Sequence, residues 1–323
     1  MIITLTANPS LDRTVELGGP LSPGGVHRIV SDRIQPGGKG INVALGVRRA
    51  GLEALAILPA GAGDPLLPLL AQEHLPVRAA SIPGRVRTNL TVLSPGADGE
   101  PLVTTKINEP GASLGAEEAR ALEDLLTAAV GPGDLVMLSG SLAPGLPADE
   151  YVRLIRLLRS TGAFIGVDTS DAPLAAIAAA LPGTAPDFLK PNAEELGQLV
   201  GLPGDTLEER AAAGELDPIR RAALALHAQG VGAVLVTLGG AGGVLAAEGQ
   251  VWYSPSARVE VVSTVGAGDS ASAGYLIGLA LGEQPPLRLA RALAYGSAAV
   301  TLPGTTIPRP DQVDIAADRV VQL

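Results

Sequence analysis

The hydrophobic positions along this chain follow two different patterns. Over most of the sequence, short continuous apolar runs alternate with helical segments, as at residues 134–138, 164–168 and 233–238. Continuous apolar strands separated by helices are typical of a parallel sheet whose two faces are both covered by helices. The pattern therefore predicts an α/β fold built on a mostly parallel sheet.

In two stretches, residues 10–36 and 86–109, apolar and polar residues alternate instead. A period of two residues is typical of half-exposed strands. We predict that the two stretches, each antiparallel within itself, pair into one small β-sheet that is inserted as a lid. The α/β core then consists of residues 1–9, 37–85 and 110–323.

The composition narrows the class of partner. The chain has 323 residues, of which 46% are hydrophobic and only 2% aromatic, and its net charge is −10. An acidic chain with so few aromatic side chains is not expected to bind nucleic acid or an anionic membrane surface. We therefore expect small-molecule ligands.

Cysteine and histidine usage narrows the chemistry further. There is no cysteine, and His27, His74 and His227 are scattered along the chain, so neither thiolate chemistry nor a histidine metal site is expected. The N-terminus lacks the pattern of a signal peptide, and no apolar stretch has membrane-spanning length. These features predict a cytoplasmic protein.

The stretch with the most distinctive chemistry is residues 261–274. Residues 261–262 predict a strand, Gly266 and Gly268 a turn, and the small residues after them a helix. Unpaired N–H groups at a helix start attract anions, and Asp269 stands at that start. Its carboxylate is interpreted either as a base beside a bound phosphate or as the cap of its helix. This stretch alone leaves both interpretations open.

A dinucleotide-binding fingerprint is a third interpretation, because residues 266–271 fit G-x-G-x-x-A. That fingerprint belongs to the first strand–helix unit of its fold, with more of the sheet following it. Here too little chain follows to build the rest of such a fold, so a dehydrogenase site is disfavoured.

Polar or glycine residues follow nearly every predicted core strand. Ligands of open α/β sheets bind at the carboxyl ends of the strands, which makes these residues candidates for one site. They are Ser139 and Gly140, Asp168 to Ser170, Lys190, Asn192, Glu194 and Glu195, Gly239 to Gly243, and Thr264 with the turn after it.

Phosphoryl transfer fits this set, because it needs donors for the phosphate, neutralising charge and a base for the accepting hydroxyl. The turn from Gly266 to Gly268 offers N–H donors, and Asp269 offers the base. Asn192 and Glu195, three residues apart, fit water-mediated Mg²⁺ binding. They also fit a helix cap with its capping box, which is the favoured interpretation of the pair alone.

A second glycine-rich turn, Gly37-Gly38-Lys39-Gly40, precedes a helix but lacks the spacing of a P-loop. It is interpreted either as an anion site or as a turn with a solvated lysine. Lys39, Arg28 and Arg87 are scarce positive charges, which we expect around the mouth between lid and core. Asp12 fits hydrogen bonding to sugar hydroxyls, although an Asx turn is the simpler interpretation.

Together these motifs resemble those of the phosphofructokinase B, or ribokinase-like, family of carbohydrate kinases. The resemblance runs along nearly the whole chain and is carried by residues 4–9 with Asp12, PGGKGINVA (36–44), SGSLAPG (139–145), KPNAEEL (190–196) and STVGAGDS (263–270). It implies a three-layer α/β/α core with a small β-sheet lid, which in this family often pairs two subunits into a dimer.

The resemblance also implies ATP-dependent phosphorylation of a sugar hydroxyl. Asp269 would be the base, and Gly266, Ala267 and Gly268 the anion hole. Mg²⁺ would be held through Glu195, and in some relatives K⁺ is bound by backbone atoms near Ser263 and Val265. The implied nucleotide residues are Lys190, Asn192, Thr237, Gly239, Gly240, Gly242 and Gly268. The implied sugar residues are Asp12, Gly38, Lys39, Asn42, Arg87 and Ser139.

Lys39 within GGKGIN, together with Arg28 and residues 87–89, resembles the branch of the family whose sugars already carry a phosphate. The expected acceptor is fructose 1-phosphate, which would become fructose 1,6-bisphosphate. Tagatose 6-phosphate and fructose 6-phosphate are the alternatives. A protein of another class, which binds sugar phosphate and nucleotide without catalysis, would tolerate loss of the base, whereas Asp269 is present here.

Overall fold

A computed structural model describes residues 1–96, 103–202 and 204–323. Within these residues, ten strands form one large sheet in the order β14-β13-β12-β11-β10-β9-β8-β1-β4-β5. Their bounds are β1 Ile2–Thr6, β4 Ala54–Pro59, β5 Val77–Ala80, β8 Leu135–Ser139, β9 Phe164–Asp168, β10 Phe188–Leu189, β11 Ala233–Thr237, β12 Gly243–Ala247, β13 Gln250–Ser254 and β14 Val321–Gln322. The strands from β11 to β5 run parallel, and β12 to β14 are antiparallel, so the predicted mostly parallel sheet is confirmed.

Helices cover both faces of this sheet. They are α1 Lys39–Arg49, α2 Leu66–Gln72, α3 Ala116–Thr127, α4 Glu150–Arg159, α5 Asp171–Ala180, α6 Ala193–Val200, α7 Gly204–Ala212, α8 Asp217–Ala228, α9 Ala267–Ala280 and α10 Pro285–Val300. Side chains of α3 to α8 pack on one face, and side chains of α1, α2, α9 and α10 pack on the other. Because successive strand residues point to opposite faces, a strand between two helical layers is apolar throughout: Ile3 joins one core and Ile2 the other.

A second, smaller sheet consists of β2 Ser10–Leu17, β3 Ile29–Gly37, β6 Arg87–Ser94 and β7 Val103–Asn108, in the order β3-β2-β6-β7. We call these four strands the small sheet. The two alternating stretches therefore pair, as predicted. β2–β3 and β6–β7 are antiparallel, whereas the central pair β2–β6 is parallel. Residues 97–102 of the second stretch lie outside the described residues.

One predicted strand is wrong. Residues 261–262 lie in an irregular segment, and the side chains of Val261 and Val262 are 60% and 58% exposed. The N–H groups of Val262 and Ser263 both donate to the carbonyl of Val300, at the end of α10, instead of to a neighbouring strand. β-Branched side chains favour strands because they pack on a pleated, half-buried surface, and this segment has no such neighbour.

The described helices include none that is long and apolar enough to cross a membrane.

Candidate active site

A cleft of about 1010 Å³ opens where the parallel strands end, between the large sheet and the small sheet. Most of the residues expected at the site line it, although they come from distant parts of the chain. These are Asp12, Gly38, Lys39, Asn42, Arg87, Lys190, Asn192, Glu195, Thr237, Gly239, Gly240, Gly242, Val265, Gly266, Ala267, Gly268 and Asp269. The topology explains the gathering, because parallel strands present their carboxyl ends at one edge of the sheet.

Asp269 is the third residue of α9, and its side chain is held from a second helix. Gly266 caps α9 in the left-handed conformation, with φ 81°, which favours glycine. Asn42 Nδ2 of α1 donates to Asp269 Oδ2 at 2.8 Å. The other carboxylate oxygen is left for the cleft.

The contact between α1 and α9 sets this hydrogen bond. A Cβ atom at Gly46 of α1 would lie 2.8 Å from the Cβ of Ala273 in α9, so only glycine allows so close a crossing. Small residues at a crossing let two helix axes approach. The close packing therefore places Asn42 within reach of Asp269.

The environment of Asp269 raises its affinity for a proton. The residue is 8% exposed. Burial is the main cause of a pKa raised from 3.8 to about 6, and Asp168 adds to it, while Lys39 and the Asn42 hydrogen bond act in the opposite direction. A carboxylate with such a pKa is ionised at neutral pH and is a competent general base.

Asp168 has a part in the site that the sequence did not reveal, since it was noted only as a strand-end residue. It ends β9 and is 1% exposed. Lys39 Nζ donates to its Oδ1 at 2.9 Å, and Lys190 Nζ lies 3.2 Å from its Oδ2. Burial alone would raise the pKa of Asp168, but the two lysines outweigh burial and lower it to about 2.

The two lysines differ in burial and lie beside different helix starts. Lys190 is 4% exposed, and its amine sits 3.3 Å from where a Cβ of Gly268 would be, beside the first turn of α9. The Lys39 side chain is 34% exposed at the start of α1. Burial would lower the pKa of Lys39, yet Asp168, Asp269 and Glu195 raise it overall, so this amine is positively charged.

Asp12 belongs to a polar network on β2 and β6 of the small sheet. Ser10 Oγ donates to Asp12 Oδ1 at 2.8 Å, and Asn89 Nδ2 donates to the same oxygen at 3.0 Å. Asp12 lies within a strand, so the Asx-turn interpretation is wrong. Two buried atoms of this network, Arg87 Nε and Asn89 Oδ1, have no hydrogen-bond partner among the described residues. Unpaired buried polar atoms are costly, which fits a wall that receives a polar ligand.

Asn192 and Glu195 form the capping box of α6. Asn192 Oδ1 accepts from the N–H of Glu195 at 2.8 Å, and Glu195 Oε2 accepts from the N–H of Asn192 at 2.9 Å. Burial raises the pKa of the Glu195 carboxyl. The cap uses only Oε2 of this carboxylate, and Glu195 also lines the cleft.

Asn192 and Glu195 fit a Mg²⁺ ion that is bound mainly through water and substrate phosphates. No group of three His, Cys, Asp or Glu side chains among the described residues is arranged to hold a metal. Mg²⁺, however, keeps several waters and is bound through one or two carboxylates plus substrate phosphates. Glu195, with one oxygen engaged in the cap and the other available, fits that mode.

The side of the cleft where we expect the nucleotide contains one acidic residue that sequence reasoning missed. β11 ends at Thr237, which forms a parallel bridge with Asn192, and a tight turn follows from Gly239 to Gly242. A Cβ at Gly239 would lie 2.7 Å from Glu208 Oε1, so the α7 side chain covers this turn. A charged residue on an exposed helix carries no sequence signal that marks it for the cleft.

Three of the residues that the family resemblance implied for the site do not line the cleft. Arg28 is exposed just before β3, whose other end, Gly37, adjoins the cleft. Nine strand residues, roughly 30 Å of extended chain, separate the two ends, so our expectation of Arg28 around the mouth between lid and core is wrong. Ser139 is fully buried, and its Oγ has no partner among the described residues. Ser263 is half-buried and donates to the Gly304 carbonyl at 3.1 Å.

An α/β fold whose sheet edge carries a buried carboxylate at a glycine-rich helix start, flanked by two lysines, is suited to transfer of a phosphoryl group to a hydroxyl. A model of the pfkB family carbohydrate kinases matches residues 6–312. The chain therefore belongs to the pfkB family, as its motifs predicted, and it is a carbohydrate kinase.

Individual relatives agree with this assignment. The chain is 36% identical over 279 residues to the 1-phosphofructokinase of Xanthomonas campestris pv. campestris, covering 86% of this chain and 83% of that protein. It is 33% identical over 326 residues to the 1-phosphofructokinase of Rhodobacter capsulatus, covering 99% and 96%. Among solved structures, phosphofructokinase-2 from Escherichia coli in complex with substrates and products has a TM-score of 0.85, 32% identity and 96% coverage of each chain. The ribokinase-like fold is thereby confirmed.

Proposed function

We propose that this protein is a 1-phosphofructokinase, which transfers the γ-phosphoryl group of ATP to fructose 1-phosphate and forms fructose 1,6-bisphosphate and ADP. The observation that carries the proposal is the buried Asp269, which Asn42 holds and which lies close enough to the cations Lys39 and Lys190 for both to lower its pKa. The similarity to proteins named 1-phosphofructokinase supports the choice of acceptor.

In this proposal, Asp269 removes the proton from the accepting hydroxyl of the sugar. The resulting oxygen forms a bond to the γ-phosphorus, the bond from that phosphorus to the bridging oxygen breaks, and ADP leaves with the electron pair. The free carboxylate oxygen of Asp269 faces the cleft, which suits a base that must reach a bound hydroxyl.

Charge on the transferred group is stabilised from two directions. The backbone N–H groups of Gly266, Ala267 and Gly268 stand at the start of α9 and act as the anion hole. The amine of Lys190 lies beside the same turn. The rest of the nucleotide is assigned to the cleft surface formed by Asn192, Thr237, Gly239, Gly240 and Gly242.

The acceptor is assigned to the other side of Asp269, below the small sheet. Asp12, Gly38, Lys39, Asn42 and Arg87 form this wall. Asp12 accepts hydrogen bonds from sugar hydroxyls, and Lys39 with Arg87 supplies positive charge for the phosphate that the sugar already carries.

Two cations complete the proposal. Glu195 holds Mg²⁺ through water, and the ion, when bound, neutralises charge on the phosphates of the nucleotide. K⁺ is assigned to backbone carbonyls near Ser263 and Val265. Removal of divalent cations with EDTA is therefore expected to abolish turnover, and added Mg²⁺ is expected to restore it.

We also propose that the small sheet is the lid of the site and that it joins two subunits into a homodimer in the cytoplasm. Apolar side chains exposed on this sheet support the idea, since exposed apolar patches mark interaction surfaces. They include Ile29, Val30, Ile34 and Ile107. Sedimentation analysis of the protein and of Val30→Asp tests it: the variant sediments as a monomer, and a monomeric parent protein would disprove the dimer.

The deciding experiment for the function is an ADP-release assay with a panel of acceptors. Fructose 1-phosphate is expected to be used with the highest kcat/KM, ahead of fructose 6-phosphate and tagatose 6-phosphate. Preference for fructose 6-phosphate would make the protein a 6-phosphofructokinase, the alternative favoured by its similarity to E. coli phosphofructokinase-2. Turnover of unphosphorylated fructose alone would disprove the role given to Lys39.

The same assay separates a kinase from a protein that only binds these ligands. A kinase loses turnover in Asp269→Asn while it retains nucleotide binding. If the parent protein and the variant both bind ATP and neither releases ADP with any acceptor of the panel, the protein is a binding protein.

A further inference from the structure

Asp168 is a buried, charged residue to which the proposed chemistry assigns no role. It is 1% exposed and does not line the cleft, so it contacts neither ligand. Isolated charges are costly in a protein interior, and those that are kept have partners. The partners of Asp168 therefore indicate what it does.

Both oxygens of this carboxylate are engaged, and by different lysines. Oδ1 accepts from Lys39 Nζ at 2.9 Å, and Oδ2 lies 3.2 Å from Lys190 Nζ. Ser272 Oγ adds a longer hydrogen bond to Oδ2, of 3.3 Å. One side chain thus anchors the two cations of the site at once.

The anchored lysines serve different halves of the cleft. Lys39 begins α1, beside Gly38 and Asn42 and on the side of the small sheet. Lys190 follows β10 and lies over the Gly268 turn at the start of α9. Asp269 is close enough to both lysines that Lys39 and Lys190 each lower its pKa.

We propose that Asp168 is the positioning residue that fixes Lys39 toward the sugar phosphate and Lys190 toward the nucleotide phosphates. The proposal rests on the proposed function for the identity of the two ligands. Asp168 acts through the lysines and touches neither ligand itself.

The consequence of losing the carboxylate follows from the burial of each lysine. Two ammonium groups that share no anion repel each other. The Lys39 side chain is 34% exposed and is free to turn into solvent, whereas Lys190, only 4% exposed, stays buried and has Asp269 and Glu195 as its remaining carboxylate neighbours. Both ligand sites therefore lose a directed positive charge.

The test is a double-mutant cycle read by binding, in the full-length protein. Dissociation constants for fructose 1-phosphate and for a non-hydrolysable ATP analogue with Mg²⁺ are measured by titration calorimetry. Asp168→Asn is expected to weaken both ligands about tenfold or more, because small displacements of a positioned charge are costly. Lys39→Met is expected to weaken binding of the sugar phosphate and to leave the dissociation constant of the nucleotide within about twofold.

The informative comparison is Lys39→Met against Asp168→Asn/Lys39→Met. Without the Lys39 amine, Asp168 acts only through Lys190. Removal of Asp168 from this background therefore weakens binding of the nucleotide and leaves binding of the sugar phosphate unchanged. The effects of the two substitutions on sugar phosphate binding are then non-additive. The double variant removes one charge of each sign, and it keeps the test available if Asp168→Asn alone does not fold. Ser272→Ala, which removes only the weaker hydrogen bond, is the control and leaves both constants within about twofold.

Two outcomes would overturn the inference. One is a loss of sugar phosphate affinity on Asp168→Asn by the same factor with and without Lys39. The other is an unchanged nucleotide affinity in the double variant. Failure of the proposed function is recognised separately, because the parent protein then releases no ADP with fructose 1-phosphate or prefers another acceptor of the panel. The role of Asp168 is decided by the changes in the dissociation constants.

Discussion

Two helices, α1 and α9, begin at the same cleft, and both have glycine as their second residue. In α1 the first two residues are Lys39 and Gly40, and in α9 they are Ala267 and Gly268. The two helix starts look alike in sequence, but the space around their glycines is different. That difference separates a glycine that packing requires from one that packing does not require.

Gly40 is enclosed by the protein itself. A Cβ atom there would lie 2.5 Å from Thr6 Oγ1 and 2.9 Å from the Leu5 carbonyl oxygen, both on β1. Backbone of a central strand cannot move aside without disturbing the sheet. The glycine therefore allows α1 to seat on the sheet.

The space around Gly268 is more open than the space around Gly40. The nearest atom to a Cβ there would be the Lys190 amine, at 3.3 Å, which is the end of a flexible side chain. The glycine is not needed for the packing of α9. It keeps the backbone N–H groups accessible beside Lys190.

The charges at the two starts also differ. A helix N-terminus favours an anion and disfavours a cation by about 0.3–1 kcal/mol. Asp269 in α9 follows this rule, whereas Lys39 in α1 breaks it and is held by Asp168. A residue placed against the helix dipole and anchored by a buried carboxylate is better explained by its ligand than by the stability of its helix.

The largest expected effect is at the α9 start. Asp269→Asn lowers kcat by about 10³-fold, since a positioned general base contributes roughly 10²–10⁴-fold. Asn keeps the shape and can still accept the hydrogen bond from Asn42. The measurement is the coupled ADP-release assay, with ATP affinity as the control. A kcat within tenfold of the parent protein would remove Asp269 from the role of base.

The second effect is at the α1 start. Gly40→Ala lowers the free energy of unfolding by about 2 kcal/mol, because overpacking against β1 exceeds the gain in helix propensity. Urea unfolding followed by circular dichroism measures the change. An unchanged or increased stability would show that α1 shifts freely on the sheet.

The matched substitution at the other helix gives a smaller and opposite result. Gly268→Ala leaves the free energy of unfolding unchanged or raises it by up to about 1 kcal/mol, because alanine favours the helix. It lowers kcat/KM about tenfold, since the new methyl group displaces the Lys190 amine. Loss of stability without loss of activity would reverse the distinction between the two glycines.

The pH dependence of activity tests the electrostatics of α9. Asp269 must be ionised to act as a base, and its pKa is about 6. At pH 5, kcat/KM is therefore expected to be about tenfold below its plateau, with a slope of one in the logarithmic profile. A profile that stays flat down to pH 5 would place the pKa of the base near its ordinary value.

The last effect is on stability. The pKa of Asp269 is raised in the folded protein, so the folded state binds this proton more tightly than the unfolded state does. The stabilisation that this proton confers is fully present below the ordinary pKa and is lost as the pH rises through about 6. Asp269→Asn is therefore more stable than the parent protein at pH 8 by about 1–3 kcal/mol, and the difference shrinks at pH 4.5.

The predictable parts of the fold are those in which local pattern and packing agree. The continuous apolar runs of the core strands are buried on both faces, and the turn at 266–268 begins a helix as its glycines indicated. The strand predicted at Val261 and Val262 does not form, because β-propensity reflects packing on a half-buried surface and this irregular segment has no such surface. The parallel pairing of β2 with β6 has no local signal, because it joins strands far apart in the chain.

The candidate site divides in the same way. Glycine turns and strand-end polar residues pointed to most of the cleft wall. Asp168 was seen but given no role, because its bond to Lys39 spans 129 residues and follows only from the order of the strands. Arg28 was misplaced because the sequence gives its charge but not its distance along β3 from the cleft.

The attachment of the small sheet has an evolutionary consequence. The large sheet is packed on both faces, so a change in its strands disturbs two layers of helices. The small sheet meets the cleft mainly at the first residues of β2 and β6, such as Asp12, Arg87 and Asn89. Under the proposed function, a lineage can therefore exchange one sugar for another by substitutions at two strand starts. Such substitutions leave the turn at the start of α9 unchanged.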